Sequence, residues 1–336
     1  MARVAAAAVT VAAVVAAAAL NPLAAFGSKT TTTTRTMALP RIALTVGDPA
    51  GIGPEIASKA VRDSAVTDIC TPIVYGPVSE DDRARFSAGA PSADAGRASY
   101  EAVCRATADV LAGRLDALAT APINKTAWAL AGLPWRGHTD LLAHLTGADD
   151  VAMMFHAERL RVVLATVHVA LAEVPRLLTA TRIERTIVLA HDELPRFGFS
   201  APRLVLAGLN PHAGECGLMG EEEEQALRPA IEAARARGVD VIGPEPADTV
   251  FMRALNGEFD AVIACYHDQG LIPIKLVAFG RAVNVTLGLP IVRTSVDHGT
   301  AYDLVGQGIA DPSSMIEAVR LAARLAAAGE RVVGDG

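Results

Sequence analysis

The chain has 336 residues, of which 51% are hydrophobic and 20% charged, and its formal net charge is −7. That is enough apolar material for a large core, and there is no basic surplus of the kind that suits nucleic acid as a partner. Cys70, Cys104, Cys216 and Cys265 lie far apart and form no CxxC pair, so neither a disulfide framework nor a thiolate zinc site is expected.

Residues 1–36 differ in kind from the rest: Ala and Val dominate from Val4 to Leu20, Thr30 to Thr34 form a run, and no acid precedes Asp48. Three readings compete for this stretch: a secretory-type signal, an organelle leader, or sequence upstream of a true start at Met37. Leu23 to Gly27, followed by Ser, Thr, Lys and Arg, resembles the leaders of algal plastid proteins. The expected location is therefore a plastid or other organelle if the leader is genuine, and cytoplasmic if translation starts at Met37 or the host is bacterial. A stable membrane anchor is not expected, because Ala is weakly apolar and Asn21 and Pro22 interrupt the run.

From Pro40 onward, short aliphatic runs alternate with helical patterns, which predicts an α/β fold with a largely parallel sheet. Strands are expected at Arg41 to Val46, Ile73 to Tyr75, Ala117 to Thr120, Val162 to Thr166, Arg203 to Leu209 and Ala261 to Tyr266. A helix is expected to start near Glu221, where four acids suit a helix N-terminus, with a kink at Pro229. Another follows Ser314 and Glu317, which have capping-box spacing, and is expected to stop at Gly329. The order of elements favours two α/β lobes sharing a cleft, with approximate boundaries of 37–140 plus 285–336 for one lobe and 141–284 for the other.

In open α/β sheets ligands bind beyond the carboxyl ends of strands. His168, His212 and His267 each follow a predicted strand, and imidazole is a common ligand for divalent metals, so a three-histidine metal site is one reading. The other is that each caps a loop or pairs with a carboxylate. Asp248 and Asp268 are the acids placed to orient such a ligand or move a proton, unless they only cap turns. Lys275, Asn284 and Arg293, together with Gly137-His138-Thr139, offer cations and donors for a phosphate or carboxylate. The loop Gly47 to Glu55 fits neither GxGxxG nor a P-loop, and is either a ligand-facing turn or a tight turn with no ligand.

The segments TVGDPAGIGPEI (45–56), APINK (121–125), GHTDLLA (137–143), GLNPHAGE (208–215), YHDQGLIPIK (266–275), VNVTLGLP (283–290) and RTSVDHGTAYDLVGQG (293–308) resemble the PdxA family and run in family order. The resemblance implies two α/β/α lobes around a cleft, as in isocitrate and isopropylmalate dehydrogenases, in a homodimer with sites at the interface. It implies that His168, His212 and His267 bind one divalent metal ion (Zn, Mg, Co or Mn) across the dimer. His138, Thr139, Lys275, Asn284 and Arg293 correspond to the substrate-binding residues. The implied reaction is NAD-dependent or NADP-dependent oxidation of 4-phosphooxy-L-threonine at C3, then decarboxylation to 3-amino-2-oxopropyl phosphate, in pyridoxal phosphate biosynthesis. The cofactor-binding residues stay unassigned, and the general base stays open among Asp248, Asp268 and water, with His138 and Lys275 as further catalytic candidates. Rival readings are a dehydrogenase for D-threonate or D-erythronate 4-phosphate and a metal-dependent phosphohydrolase. Two departures stand out: Cys216 occupies a position where Gly is expected, and the stretch from Pro77 to Pro91 is shorter than in most relatives.

Overall fold

The computed structural model describes residues 38–332, so the leader expectations fall outside the described residues. Strands β1 (Arg41–Thr45), β2 (Thr71–Tyr75), β3 (Ala117–Thr120), β4 (Ala152–His156), β5 (Arg161–Leu164), β6 (Leu204–Ala207), β7 (Val241–Glu245), β8 (Ala261–Ala264), β9 (Val283–Leu287) and β10 (Arg293–Ser295) form one ten-stranded sheet in the order β2-β1-β3-β10-β9-β4-β5-β8-β6-β7. The longer helices are α1 (Gly53–Ala60), α2 (Ala93–Leu111), α3 (Lys125–Leu130), α4 (His138–Thr146), α5 (Ala180–Glu193), α6 (Arg228–Ala236), α7 (Ala247–Leu255), α8 (His267–Ala278) and α9 (Ser313–Val332). The expected α/β class holds.

The sheet is parallel at both ends and antiparallel in the middle. β2, β1, β3 and β10 pair in parallel, as do β5, β8, β6 and β7. The pairs β10·β9, β9·β4 and β4·β5 are antiparallel and join the two blocks. Within these blocks the inner strands β6 and β8 are continuous apolar runs, buried throughout, as strands covered on both faces require, while the edge strands β2 and β7 are partly exposed. The expected lobe boundary at 284/285 falls inside β9.

Several local expectations need correction. β5, β6 and β8 each end two residues earlier than expected, at Leu164, Ala207 and Ala264, so more of each segment belongs to the loops that carry the histidines. Ser314 does not cap α9, which begins at Ser313. Its hydroxyl donates to Asp297 Oδ1 at 2.9 Å, while Asp311 Oδ1 accepts from the Ser313 N–H at 2.9 Å. Glu317 pairs with Arg320, and the helix runs through Gly329 to Val332, since one glycine costs a helix only about 1 kcal/mol. At Pro229 the irregularity is a π turn at Glu223–Leu227, immediately before α6, where the missing proline N–H would break the ordinary bonding.

Candidate active site

A cleft of about 1510 Å³ lies over the antiparallel middle of the sheet. Its floor is set by register: Ser295 lies opposite Asn284, and Thr286 opposite Met153, so side chains two apart along each strand share one face. Lys125, His138, Thr139, His168, Asn284 and Arg293 all line it. Thr139 and His138 open α4, whose N-cap Gly137 has no side chain to satisfy the first N–H groups, leaving donors and the positive end of the helix for an anion.

Arg293 dominates the electrostatics. It is 3% exposed, and its guanidinium donates to Thr286 Oγ1 at 3.0 Å and to Thr120 Oγ1 at 2.7 Å, both neutral groups. No carboxylate pairs with it among the described residues. Burial without a counter-charge pulls its pKa down to about 9, which still leaves it protonated at neutral pH. The His138 ring, edge-on to Trp128 at 5.9 Å, is held well below the usual histidine pKa by burial first and by the Arg293 charge second. Trp128 is itself anchored by donating to Ser99 Oγ at 2.8 Å.

Three buried polar atoms here have no partner: His138 Nε2, Asn284 Oδ1 and Arg293 Nε. Each such atom costs on the order of 1–3 kcal/mol when left unsatisfied. A ligand that brings negative charge for Arg293 and a donor such as a hydroxyl for Asn284 Oδ1 would satisfy them.

The expected histidines divide. His168, in the loop after β5, lies in the cleft with its ring centroid 5.5 Å from that of His267, the first residue of α8. Its pKa is lowered by burial, then by the charges of Lys125 and His267, with Asp140 opposing. His267 Nδ1 is 2.7 Å from Asp268 Oδ1, and His212 Nδ1 is 2.6 Å from Glu215 Oε2. In both, the carboxylate occupies Nδ1 and leaves Nε2 free, which is how a metal-binding imidazole is usually oriented. The donor set fits a divalent ion, although among the described residues no three such side chains of one chain gather into a metal-holding group. His212, Asp248, Asp268 and Lys275 are not among the residues lining the cleft, and Asp248 and Lys275 are exposed on α7 and α8. One chain thus brings together His138, Thr139, His168, Asn284 and Arg293, with His267 at the His168 edge.

The turn 47–53 owes its glycines to neighbouring backbone. A Cβ on Gly47, which has φ +66°, would lie 2.1 Å from the Pro122 carbonyl oxygen, and one on Gly53 would lie 2.0 Å from that of Val46. Asp48, fully buried, accepts from Tyr302 Oη at 2.7 Å and from the Ala50 N–H at 2.8 Å, and burial raises its pKa. The loop after β6 is unusual: His212, Ala213, Gly214, Glu215 and Cys216 have φ of 54°, 53°, 80°, 43° and 57°. A left-handed residue other than glycine costs about 1–2 kcal/mol, which explains why glycine is expected at 216. Lys125 and Asp140 line the cleft and Glu215 meets His212, and the strand-end argument assigned none of them. The signal for Lys125 was its APINK segment, directly after β3.

The chain is similar to known proteins. The model of a family described as pyridoxal phosphate biosynthetic protein PdxA matches residues 13–322. A Geobacter metallireducens protein named 4-hydroxythreonine-4-phosphate dehydrogenase is 44% identical, covering 88% of this chain and 97% of that protein. A Cupriavidus necator protein named D-threonate 4-phosphate dehydrogenase is 43% identical, covering 86% of this chain and 98% of that one. The crystal structure of 4-hydroxythreonine-4-phosphate dehydrogenase from Klebsiella pneumoniae superposes with a TM-score of 0.77 at 40% identity, covering 87% of this chain and 99% of that one.

Proposed function

This chain belongs to the PdxA family of dehydrogenases, and from that premise we propose that it oxidises 4-phosphooxy-L-threonine at C3 with NAD or NADP and releases CO2 to give 3-amino-2-oxopropyl phosphate, a step toward pyridoxal 5′-phosphate. The observation that carries the reading is Arg293, a buried cation without a counter-ion beside the unpaired His138 Nε2 and Asn284 Oδ1. A doubly anionic phosphorylated hydroxy acid supplies the missing charge and the missing partners. Arg293, Asn284, His138 and the N–H groups at the start of α4 grip an anionic end, and their rigid placement on the sheet floor fixes where C3 lies.

His168, His212 and His267 would hold a divalent ion, whose chemistry when bound is to polarise the substrate oxygen and steady its negative charge through hydride loss and decarboxylation. Nitrogen donors suit zinc or cobalt, and the substrate's own oxygens would suit magnesium or manganese. Asp268 and Glu215 orient their imidazoles. Because His138 stays neutral, its ring serves as a hydrogen-bond partner to substrate rather than as a second fixed cation.

His212, Asp248 and Lys275 stand outside their own cleft, and we read the working site as completed by a second copy. Ile272 and Leu276 on α8 and Phe279 just past its end support this: they are 59%, 81% and 81% exposed and flank Lys275 on the helix that His267 opens. Two α/β lobes, one on each side of the cleft, complete the proposed architecture.

The reaction is tested by measuring reduced cofactor and CO2 together with 4-phosphooxy-L-threonine as substrate. Equal amounts of both are expected, whereas phosphate release with neither would favour a phosphohydrolase. A second reading, oxidation of D-threonate 4-phosphate, rests on the Cupriavidus relative and shares every residue above. Site sharing is tested by mixing two variants, Lys275→Ala and Arg293→Met, at a substrate concentration too low for either to turn over alone. Mixed dimers regain activity if the site spans the interface and stay inactive if it does not.

A further inference from the structure

The left-handed segment from His212 to Cys216 is seated on a buried carboxylate that the reaction does not use. Glu223 is 1% exposed and sits at the start of the π turn. Its Oε1 accepts from the Asn210 backbone N–H at 2.7 Å, and its Oε2 accepts from Asn210 Nδ2 at 2.9 Å. Glu222 Oε2 accepts from the same Nδ2 at 2.8 Å. A Cβ on Gly214 would lie 2.8 Å from Glu223 Oε2, so the loop backbone rests directly against the carboxylate. The far end of the loop closes in the same place, since a Cβ on Gly220 would lie 2.6 Å from both Asn210 Nδ2 and Glu222 Oε2.

This seat is tied to the other histidine-bearing element. Gln269, on α8, donates from Nε2 to the Gly208 carbonyl at 2.7 Å and accepts at Oε1 from the Cys265 N–H at 2.6 Å. The root of the His212 loop and the root of the His267 helix are therefore fixed to each other. Five consecutive residues in a conformation that L side chains avoid persist only where surrounding contacts hold them. The buried contacts that hold this segment from outside are those of Glu223 and Asn210. Glu223 opens the π turn and is the one buried side chain of the acidic run 221–224.

We propose that Glu223 is the positioning residue for His212, its buried carboxylate gripping Asn210 and so holding residues 212–217 in the left-handed fold that presents the imidazole, oriented by Glu215, outward from its own chain. The proposal rests on the reading of His212 as a metal ligand. It predicts that Glu223→Gln, which turns one acceptor into a donor facing Asn210 Nδ2, loosens the loop and weakens the site without touching a ligand.

The test is cobalt(II) titration of the full-length protein, followed by its visible absorption, together with hydrogen–deuterium exchange across residues 208–220. In the Glu223→Gln protein the cobalt dissociation constant is expected to rise about ten-fold or more, as for other groups that orient metal ligands. Exchange in 210–217 is expected to accelerate while the sheet strands keep their protection. Asn210→Ala removes the side-chain bonds to Glu222 and Glu223 but keeps the backbone bond to Glu223, and should move both readouts in the same direction by less, which keeps the test decisive if Glu223→Gln fails to fold. Glu224→Gln, on the exposed neighbour that pairs with Arg228, should move neither. If His212→Ala lowers cobalt affinity but Glu223→Gln and Asn210→Ala leave both affinity and exchange unchanged, Glu223 does not position His212. If His212→Ala itself leaves cobalt binding unchanged, the ligand reading fails and the positioning role falls with it.

Discussion

Replacing Arg293 by methionine should make the unliganded protein more stable and the enzyme far worse. The guanidinium is 3% exposed and faces two threonine hydroxyls instead of a carboxylate. Its pKa falls from 12.5 to about 9 on burial. The unfolded chain binds the proton more tightly than the folded one, so at every pH below about 9 the folded state carries the full penalty, on the order of 5 kcal/mol. Lost hydrogen bonds to Thr286 and Thr120 offset about 2 kcal/mol of this, and imperfect packing of methionine offsets more. A net gain of about 1–2 kcal/mol remains, or several degrees in Tm for a chain of this size. Against that, an anion that relied on the buried charge loses about 3 kcal/mol of binding, a rise of roughly 100-fold in KM. Thermal unfolding without substrate and steady-state kinetics on the same preparation provide the two numbers. An Arg293→Met protein that is less stable and keeps its KM would refute the argument, because the charge would then be serving the fold and not a ligand.

Other expectations follow from single residues. His156 is held at about 3 by burial and by the Arg161 and Arg324 charges, so the folded state resists its protonation. Stability should fall as pH drops from about 6.5 toward 3, and His156→Phe should remove up to about 1.4 kcal/mol per pH unit from that slope in acid unfolding curves. Cys216→Gly should stabilise the protein by about 1 kcal/mol in denaturant titration, since glycine adopts φ 57° without the side-chain penalty. Gly47→Ala should cost about 3 kcal/mol or more by the same method, because φ is +66° and the new Cβ would lie 2.1 Å from the Pro122 carbonyl oxygen.

The parts of this fold that could be read from the chain are the buried parallel strands, whose aliphatic runs have no other use. β1, β3 and β8 lie within the segments so expected. β4, Ala152–His156, lacks β-branched residues, and β10 is three residues long and begins with arginine, so neither carries a strand pattern. These unread strands belong to the antiparallel middle that floors the cleft. Strand-end reasoning therefore points to His168, His212 and His267, while Asn284 and Arg293 read as donors for an anion with no hint that they share a sheet face. The left-handed loop was illegible because His-Ala-Gly-Glu-Cys contains one glycine for five positive φ values. That conformation is imposed from Glu223 and Asn210, thirteen residues apart along the chain.

The most direct measurement is reduced-cofactor formation, followed by near-ultraviolet absorbance, with 4-phosphooxy-L-threonine, D-threonate 4-phosphate and D-erythronate 4-phosphate, each with and without a chelator. Turnover of 4-phosphooxy-L-threonine with a kcat/KM well above the other two, abolished by the chelator and restored by a divalent ion, is the predicted result. Turnover of a sugar-acid phosphate alone would contradict the assigned substrate, and chelator-insensitive turnover would contradict the metal. No reduced cofactor with any of the three would contradict the account as a whole.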